Sequence, residues 1–188
     1  MVYIEKNKVL CKMILMEEKL LQILEKMKEI EYGWVDKYGV VHKSSKRDFF
    51  IQNYRLQKLE DTLKYKVGTC WEQVELVRFY LEEENIPVKT YIVIYNEEGR
   101  IARHTIAVAE VDGKFYWMEN SWNLDEFKIK YDSTDEILNE LVGRFPRMYK
   151  IPDFDRNKIE IYEYEKPEEG LSFEEFTDWC RKGVKYGN

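Results

Sequence analysis

The chain has few of the residues from which metal centres and disulfide frameworks are built. It contains only three cysteines and two histidines, namely Cys11, Cys70, Cys180, His42 and His104. The cysteines are too few and too scattered for a disulfide framework, and no Cys/His cluster has the spacing of a zinc site. We therefore expect no metal ion, and we expect a reducing, cytoplasmic compartment.

A surplus of positive charge and a long apolar run are also absent. The chain has 30 Lys and Arg against 36 Asp and Glu, so its formal net charge is -6. This balance disfavours binding to phosphate backbones, and we expect no nucleic acid as a partner. The apolar stretch VLCKMILM is interrupted by Lys12 and continues into charged sequence, which predicts neither a signal peptide nor contact with a membrane. What is present, 44% hydrophobic and 15% aromatic residues over 188 positions, suits one folded domain, alone or with an appendage.

The first segment of the chain has the period of an amphipathic helix. Between residues 9 and 30, apolar residues recur at alternating spacings of four and three, with Lys and Glu between them. We expect an N-terminal helix within residues 1–31 and a second unit over 32–188, because Gly33 and Gly39 break the pattern. Further apolar residues widen the stripe, which favours packing of the helix on its own domain. A homodimer through residues 9–30 is the alternative.

The second unit begins with helical patterns and continues with strands. A helix is expected to start at Cys70 and to end before the NIP segment. Two runs rich in β-branched residues follow, VKTYIVIY and IARHTIAVAEV, joined by the turn NEEGR. Asp112-Gly113 is a strong hairpin signal and joins the second run to a third strand, KFYWMEN. A central helix followed by three antiparallel strands predicts an α+β domain.

The last third of the chain contains two helix-start signals with a strand pattern between them. Ser133-x-x-Glu136 and Ser172-x-x-Glu175 have the spacing of capping boxes. Between them, KIEIYEY alternates like an edge strand whose glutamates discourage further pairing.

Cys70 is the candidate nucleophile of the chain. A thiol reacts as thiolate, which is favoured by the positive end of a helix and by a nearby imidazolium. The segment VGTCWEQV sets Cys70 at a helix start. The imidazole would come from His104 in the second strand, because His42 is predicted in a loop without partners and receives no role.

Hairpin geometry indicates the third group. If Asp112-Gly113 forms a two-residue turn, His104 shares a face with Glu119 at the diagonal offset, and Asn120 points to the other face. We expect Glu119 to hold the imidazole in one tautomer and to stabilise its charged form. A bulge or an odd loop would exchange the two residues, so Asn120 is the alternative.

Four neighbours of these groups have weaker signals. Trp71 and Trp117 are candidate walls of a substrate cleft, although aromatic residues beside a helix start are as often core residues. Glu72 and Arg103 are charged, and we expect both at the solvated surface.

This set of residues resembles the transglutaminase-like superfamily of papain-fold cysteine enzymes. The features that carry the resemblance are a cysteine that opens a helix, then a histidine, a hairpin and a Trp-x-Glu ending, within about residues 68–122. The resemblance implies a papain/transglutaminase-like core with a central helix packed on an antiparallel sheet. It also implies a Cys-His-Asp triad, mapped here onto Cys70, His104 and Glu119, with glutamate in place of the usual aspartate. The segments GTCW and ENSW resemble papain-like proteases, which is the argument for Asn120.

The resemblance implies a cysteine-dependent hydrolase or acyltransferase. It would act on amide bonds of a peptide or protein substrate, at the peptide bond or at a glutamine side chain, through a thioester on Cys70. His104 would protonate the departing amine, and no cofactor would be required. The alternative is a catalytically silent transglutaminase-like binding or scaffold module.

Overall fold

The computed structural model describes residues 2–98, 100–122 and 129–187, with side chains from residue 13 onwards. The α-helices in this part of the chain are α1 (Val2–Met27), α2 (Arg47–Asn53), α3 (Leu59–Tyr65), α4 (Cys70–Glu83), α5 (Thr134–Met148) and α6 (Phe173–Arg181). The strands are β1 (Glu31–Tyr32), β2 (Trp34–Val35), β3 (Val41–His42), β4 (Val67–Gly68), β5 (Val88–Glu97), β6 (Arg100–Val111), β7 (Lys114–Met118), β8 (Lys130–Tyr131), β9 (Ile159–Tyr164) and β10 (Val184–Lys185). Within these ranges, no helix has both the length and the apolar character that a bilayer crossing requires.

Six strands form one antiparallel sheet in the order β10-β9-β5-β6-β7-β8. The three strands predicted after the central helix are β5, β6 and β7. Val111 pairs with Lys114 across Asp112-Gly113, which confirms the two-residue turn. Both turn residues have positive φ angles, 49° and 71°, as a type I′ hairpin turn requires. The turn that the sequence predicts around Gly99 lies outside the described residues.

The segment KIEIYEY forms β9, but it is not an edge strand. It pairs with β5 on one side and with β10 on the other. After β9 the chain reverses direction through α6. Its last residues then form β10, which pairs with β9 and covers the outer edge of that strand. The predicted helix starts at Ser133 and Ser172 are confirmed, since each hydroxyl accepts the backbone N–H three residues later.

A hydrophobic core lies on each face of the sheet. One core contains α4 together with α1 and α6, and Leu20, Val77 and Phe176 are among its buried residues. The other lies under α5 and includes Trp117 and Phe145. The fold is therefore α+β with a central helix on an antiparallel sheet, as the sequence predicts.

The second half of α1 belongs to the first core. Leu20 and Met27 are buried in it, whereas Ile14 and Leu21 are exposed on the opposite side of the helix. The helix ends at Met27, a few residues before the glycines that were expected to break it. The division of the chain after residue 31 remains a prediction.

Candidate active site

Cys70 is the first residue of α4, and a capping box holds it there. Thr69 is the N-cap, and its hydroxyl accepts the N–H of Trp71 at 3.2 Å. The Glu72 carboxylate accepts the N–H of Thr69 at 2.8 Å in return. The Cys70 thiol is 5% exposed and lies at the positive end of the helix dipole. The backbone N–H of Cys70 is one of those that a helix start leaves unused.

Glu72 is buried, so the expectation of a solvated position is wrong. Its carboxylate accepts the Thr69 hydroxyl at 2.6 Å, the backbone N–H of Gln57 at 3.3 Å and the hydroxyl of Tyr54. These donors offset the cost of desolvating a carboxylate. Since Tyr54 and Gln57 come from an earlier part of the chain, their approach could not be read from the local sequence.

His104 and Glu119 form a buried pair. The His104 Nε2 lies 2.6 Å from the Glu119 Oε2, and the two side chains are 1% and 2% exposed. The other oxygen, Oε1, accepts the Ser121 hydroxyl at 2.6 Å and the backbone N–H groups of Ser121 and Trp122 at 3.0 and 3.3 Å. The carboxylate is thus held from three sides, on the face that the hairpin register indicates.

Asn120 points away from this pair. Its amide nitrogen donates to the Ile30 carbonyl at 3.1 Å and to the Gln73 Oε1 at 3.0 Å. Asn120 therefore links the end of the hairpin to α4 and to the segment after α1, while Glu119 alone of the two contacts the imidazole.

The Cys70 thiol lies near enough to the His104 ring to help raise the pKa of the imidazole. Because Nε2 is bonded to Glu119, Nδ1 is the ring nitrogen left to interact with the thiol. The strand arrangement leaves room for this contact. The last residue of β7, Met118, pairs with Ala107, and beyond this pair β6 has only β5 as a neighbour among the described strands. His104 lies on that stretch, where the N-terminus of α4 reaches it.

The pair is charged at neutral pH. Burial lowers the pKa of His104, but the charge of Glu119 and hydrogen bonds to Cys70 and Glu119 raise it to about 9. Burial raises the pKa of Glu119, whereas the opposing effects of His104, Ser121 and the Trp122 N–H bring it below its usual range. An imidazolium beside a thiol favours the thiolate, which is the nucleophilic form.

Trp122 covers the imidazole, a contact that the sequence prediction missed. The two rings are stacked with centroids 3.9 Å apart and an interplanar angle of 12°. Trp122 also contacts Phe145 and Tyr149 of the helix-α5 region. The signal that could have indicated it is its place at the end of the ENSW segment.

The two tryptophans predicted as cleft walls lie in the cores. Trp71 is stacked on Phe173 and Phe176, with ring centroids 5.1 and 4.1 Å apart. Trp117 is fully buried on the face of the sheet that α5 covers. Both indoles therefore contribute to packing rather than to a solvent-facing wall.

Arg103 is also buried, against the expectation of a solvated position. Its guanidinium lies 4.2 Å above the Phe173 ring, and its Nη2 donates to Glu174 at 3.0 Å. The Arg103 carbonyl accepts the Tyr149 hydroxyl at 2.6 Å. The side chain of Arg103 thus joins β6 to α6, and its carbonyl group joins β6 to the end of α5.

The remaining histidine and cysteines lie in other surroundings. His42 is in β3 rather than in a loop, and its Nε2 lies 2.9 Å from the Asp36 Oδ2. Cys180 is buried, and burial raises the pKa of its thiol. The side chain of Cys11 lies outside the described residues. In the described ranges, no group of three or more His, Cys, Asp or Glu side chains could hold a metal ion.

Comparison with known proteins gives one family. A family model described as a transglutaminase-like domain matches residues 7–139. This range contains Cys70, His104 and Glu119, and it extends from α1 into α5. No curated protein gives a significant match to the chain.

Proposed function

Since the chain belongs to the family of transglutaminase-like domains, we propose that it is a cysteine-dependent enzyme that acts on amide bonds. The observation that carries this proposal is the buried His104–Glu119 pair, near which the Cys70 thiol opens a helix. A nucleophile bonded to a base, with the base oriented by a third group, is the arrangement that nucleophilic catalysis requires.

The first half of the reaction acylates Cys70. The thiolate attacks the carbonyl carbon of the amide, a C–S bond forms, and the carbonyl oxygen takes the negative charge. As the C–N bond breaks, the oxygen returns its electron pair and His104 donates the Nδ1 proton to the departing nitrogen. The products are a free amine, or ammonia from a glutamine side chain, and a thioester on Cys70.

The second half releases the acyl group. Water or an amine approaches the thioester, and the now neutral His104 takes its proton at Nδ1 as the new bond to carbon forms. Collapse of the second tetrahedral intermediate breaks the C–S bond and restores the thiolate beside the imidazolium. Water makes the enzyme a hydrolase, and an amine makes it an acyltransferase.

Glu119 has a positioning role in this scheme. Its bond to Nε2 keeps that nitrogen protonated, which directs Nδ1 to the thiol and stabilises the imidazolium. Ser121 and the Trp122 N–H hold the carboxylate, and the Trp122 ring covers the imidazole. The reaction requires no cofactor, because the thiol supplies the nucleophile and the imidazole supplies the proton. The substrate is a peptide or protein.

The first test is the rate at which iodoacetamide alkylates Cys70 at pH 7. Peptide mass spectrometry separates Cys70 from the other two cysteines. An unpaired thiol is only a few per cent ionised at this pH, so we expect His104→Ala to slow alkylation by about tenfold or more. His42→Ala, which removes the other histidine, is the matched control and should leave the rate unchanged.

Activity is measured on glutamine-containing peptides, with and without hydroxylamine. Ammonia release that is lost in Cys70→Ala supports an enzyme, and formation of a hydroxamate marks transfer to an amine. Two results together would contradict the proposal and favour the silent binding or scaffold module. These are an alkylation rate of Cys70 that does not change in His104→Ala, and no release of ammonia.

A further inference from the structure

The proposed reaction creates a negative charge that needs more than one hydrogen-bond donor. A helix start leaves the N–H of its first residue without a partner inside the helix, and the N–H of Cys70 is the expected donor to the attacked carbonyl oxygen. Oxyanion sites generally combine such an N–H with a second donor. The identity of this second donor matters only if the proposed function is correct, so what is inferred about it rests on that function.

The short parallel pair of β1 and β4 brings Tyr32 beside the segment that leads to Cys70. Tyr32 pairs with Gly68, two positions before the nucleophile. The Gly33 N–H donates to the Gly68 carbonyl at 3.2 Å, which extends the pairing. Successive strand residues are about 3.3 Å apart, so the offset from Gly68 to Cys70 is within reach of a tyrosine side chain.

Two glycines allow the close packing around this strand pair. A Cβ atom on Gly68 would lie 2.9 Å from the Glu72 Cβ, and one on Gly33 would lie 2.8 Å from the His42 carbonyl oxygen. Real Cβ atoms do not approach other atoms so closely, so both positions require glycine. The chain is therefore tightly packed at Gly68, the partner of Tyr32, and at Gly33, the residue after Tyr32.

Tyr32 is exposed as a residue, but its hydroxyl lies close enough to the site to be affected by the charges there. About half of its surface, 54%, remains accessible. Yet desolvation, together with the charges of Cys70, Glu72 and Glu119, raises the pKa of Tyr32 well above its usual value. A ring at the rim of a cleft with its hydroxyl turned inwards accounts for both observations. Such a hydroxyl stays protonated and can donate throughout the neutral range.

We propose that the Tyr32 hydroxyl is the second oxyanion donor. It donates a hydrogen bond to the carbonyl oxygen as Cys70 attacks, opposite the backbone N–H of Cys70. When the oxygen returns its electron pair to carbon, this bond weakens again, so the donor acts mainly in the transition state. The segment that follows α1 therefore supplies a catalytic residue.

The test compares two reactions of the same thiol. With p-nitrophenyl acetate, Cys70 forms a C–S bond to the carbonyl carbon and p-nitrophenolate leaves with the electron pair of its C–O bond, through an oxyanion. With iodoacetamide, Cys70 displaces iodide directly and no oxyanion forms. We expect Tyr32→Phe to slow acylation by about 100-fold, as the loss of one donor does, and to leave alkylation unchanged.

Tyr38→Phe is the matched control, because Tyr38 is a highly exposed tyrosine on the nearby β2–β3 hairpin. It should change neither rate. Unchanged acylation in Tyr32→Phe, or an equal loss in both reactions, would overturn the inference, since the second result would mean that Tyr32 only maintains the thiolate. Failure of the proposed function is separate: it would appear as acylation that Cys70→Ala does not abolish.

Discussion

At the scale of single residues, Glu119 reaches His104 from a position just beyond a strand. The two-residue turn would pair Glu119 with Ile106, but β7 ends at Met118 and this pair does not form. Bonds from Ser121 and Trp122 to the carboxylate replace the missing strand contacts. The glutamate side chain is long enough to bond His104 from beyond the end of β7.

Replacement of Glu119 by Gln is predicted to lower the pKa of His104 and to slow alkylation of Cys70. The amide keeps the shape of the side chain but removes the negative charge that stabilises the imidazolium. The measurement is an NMR titration of the His104 ring, for which we expect a pKa raised to about 9 in the native chain. Asn120→Ala is the control and should leave the titration unchanged. A larger shift in Asn120→Ala would make Asn120 the third group instead.

At the scale of elements, the start of α4 depends on residues from other parts of the chain. The capping box between Thr69 and Glu72 is local, and its residues are visible in the sequence. The burial of Glu72, however, depends on Tyr54 and Gln57, which close over the helix start. The helix start that carries Cys70 is therefore covered by the segment between α2 and α3.

A pair of neighbouring leucines tests how α1 is attached. Leu20 is 1% exposed and Leu21 is 54% exposed. Leu20→Ala is predicted to cost about 2–5 kcal/mol of unfolding free energy, because it leaves a cavity in the first core. Leu21→Ala should change stability by no more than about 0.5 kcal/mol. Urea unfolding measures both, and equal costs would show that α1 is not anchored as described.

The exposed side of α1 is also where a homodimer would form. Ile14, Leu15 and Leu21 are exposed apolar residues on this helix. The homodimer through residues 9–30 remains a prediction. Sedimentation equilibrium of the native chain and of Leu21→Glu is the measurement that decides it, since a dimer held by this stripe would dissociate in the variant.

At the scale of the whole molecule, the charge on His104 couples the site to global stability. A histidine in an unfolded chain has a pKa of about 6.5. In the folded protein burial lowers the pKa of His104, but Glu119 and Cys70 raise it to about 9. Between these values the folded state holds more protons than the unfolded state, so the unfolding free energy falls as the pH rises.

We therefore predict that Cys70→Ala, which has no thiol to titrate at this site, loses stability between about pH 7 and pH 9 by more than the double variant Cys70→Ala/His104→Gln does. The contribution is complete below about pH 6.5 and is gone above about pH 9. Urea unfolding at a series of pH values measures the difference. Cys70→Ala/His42→Gln should follow the Cys70→Ala curve, and parallel curves for Cys70→Ala and Cys70→Ala/His104→Gln would contradict the assignment of the charged pair.

Much of the site could be predicted because its signals are local. The helix start at Cys70, the hairpin at Asp112-Gly113 and the face shared by His104 and Glu119 all follow from short-range geometry. Trp71 and Trp117 were harder to assign, because an aromatic residue has the same pattern in a core and in a cleft. Only the stacking on Phe173 and Phe176 identifies Trp71 as a core residue.

By itself, the sequence determined the order of helices and strands, the register of the hairpin and the family, because each depends on spacing along the chain. Tertiary structure alone decided which charges are buried, that β9 is covered by β10, that Trp122 stacks on His104 and that Tyr32 pairs with Gly68. These contacts join residues that are distant along the chain. They arise from the packing of helices on the sheet, which no local pattern encodes.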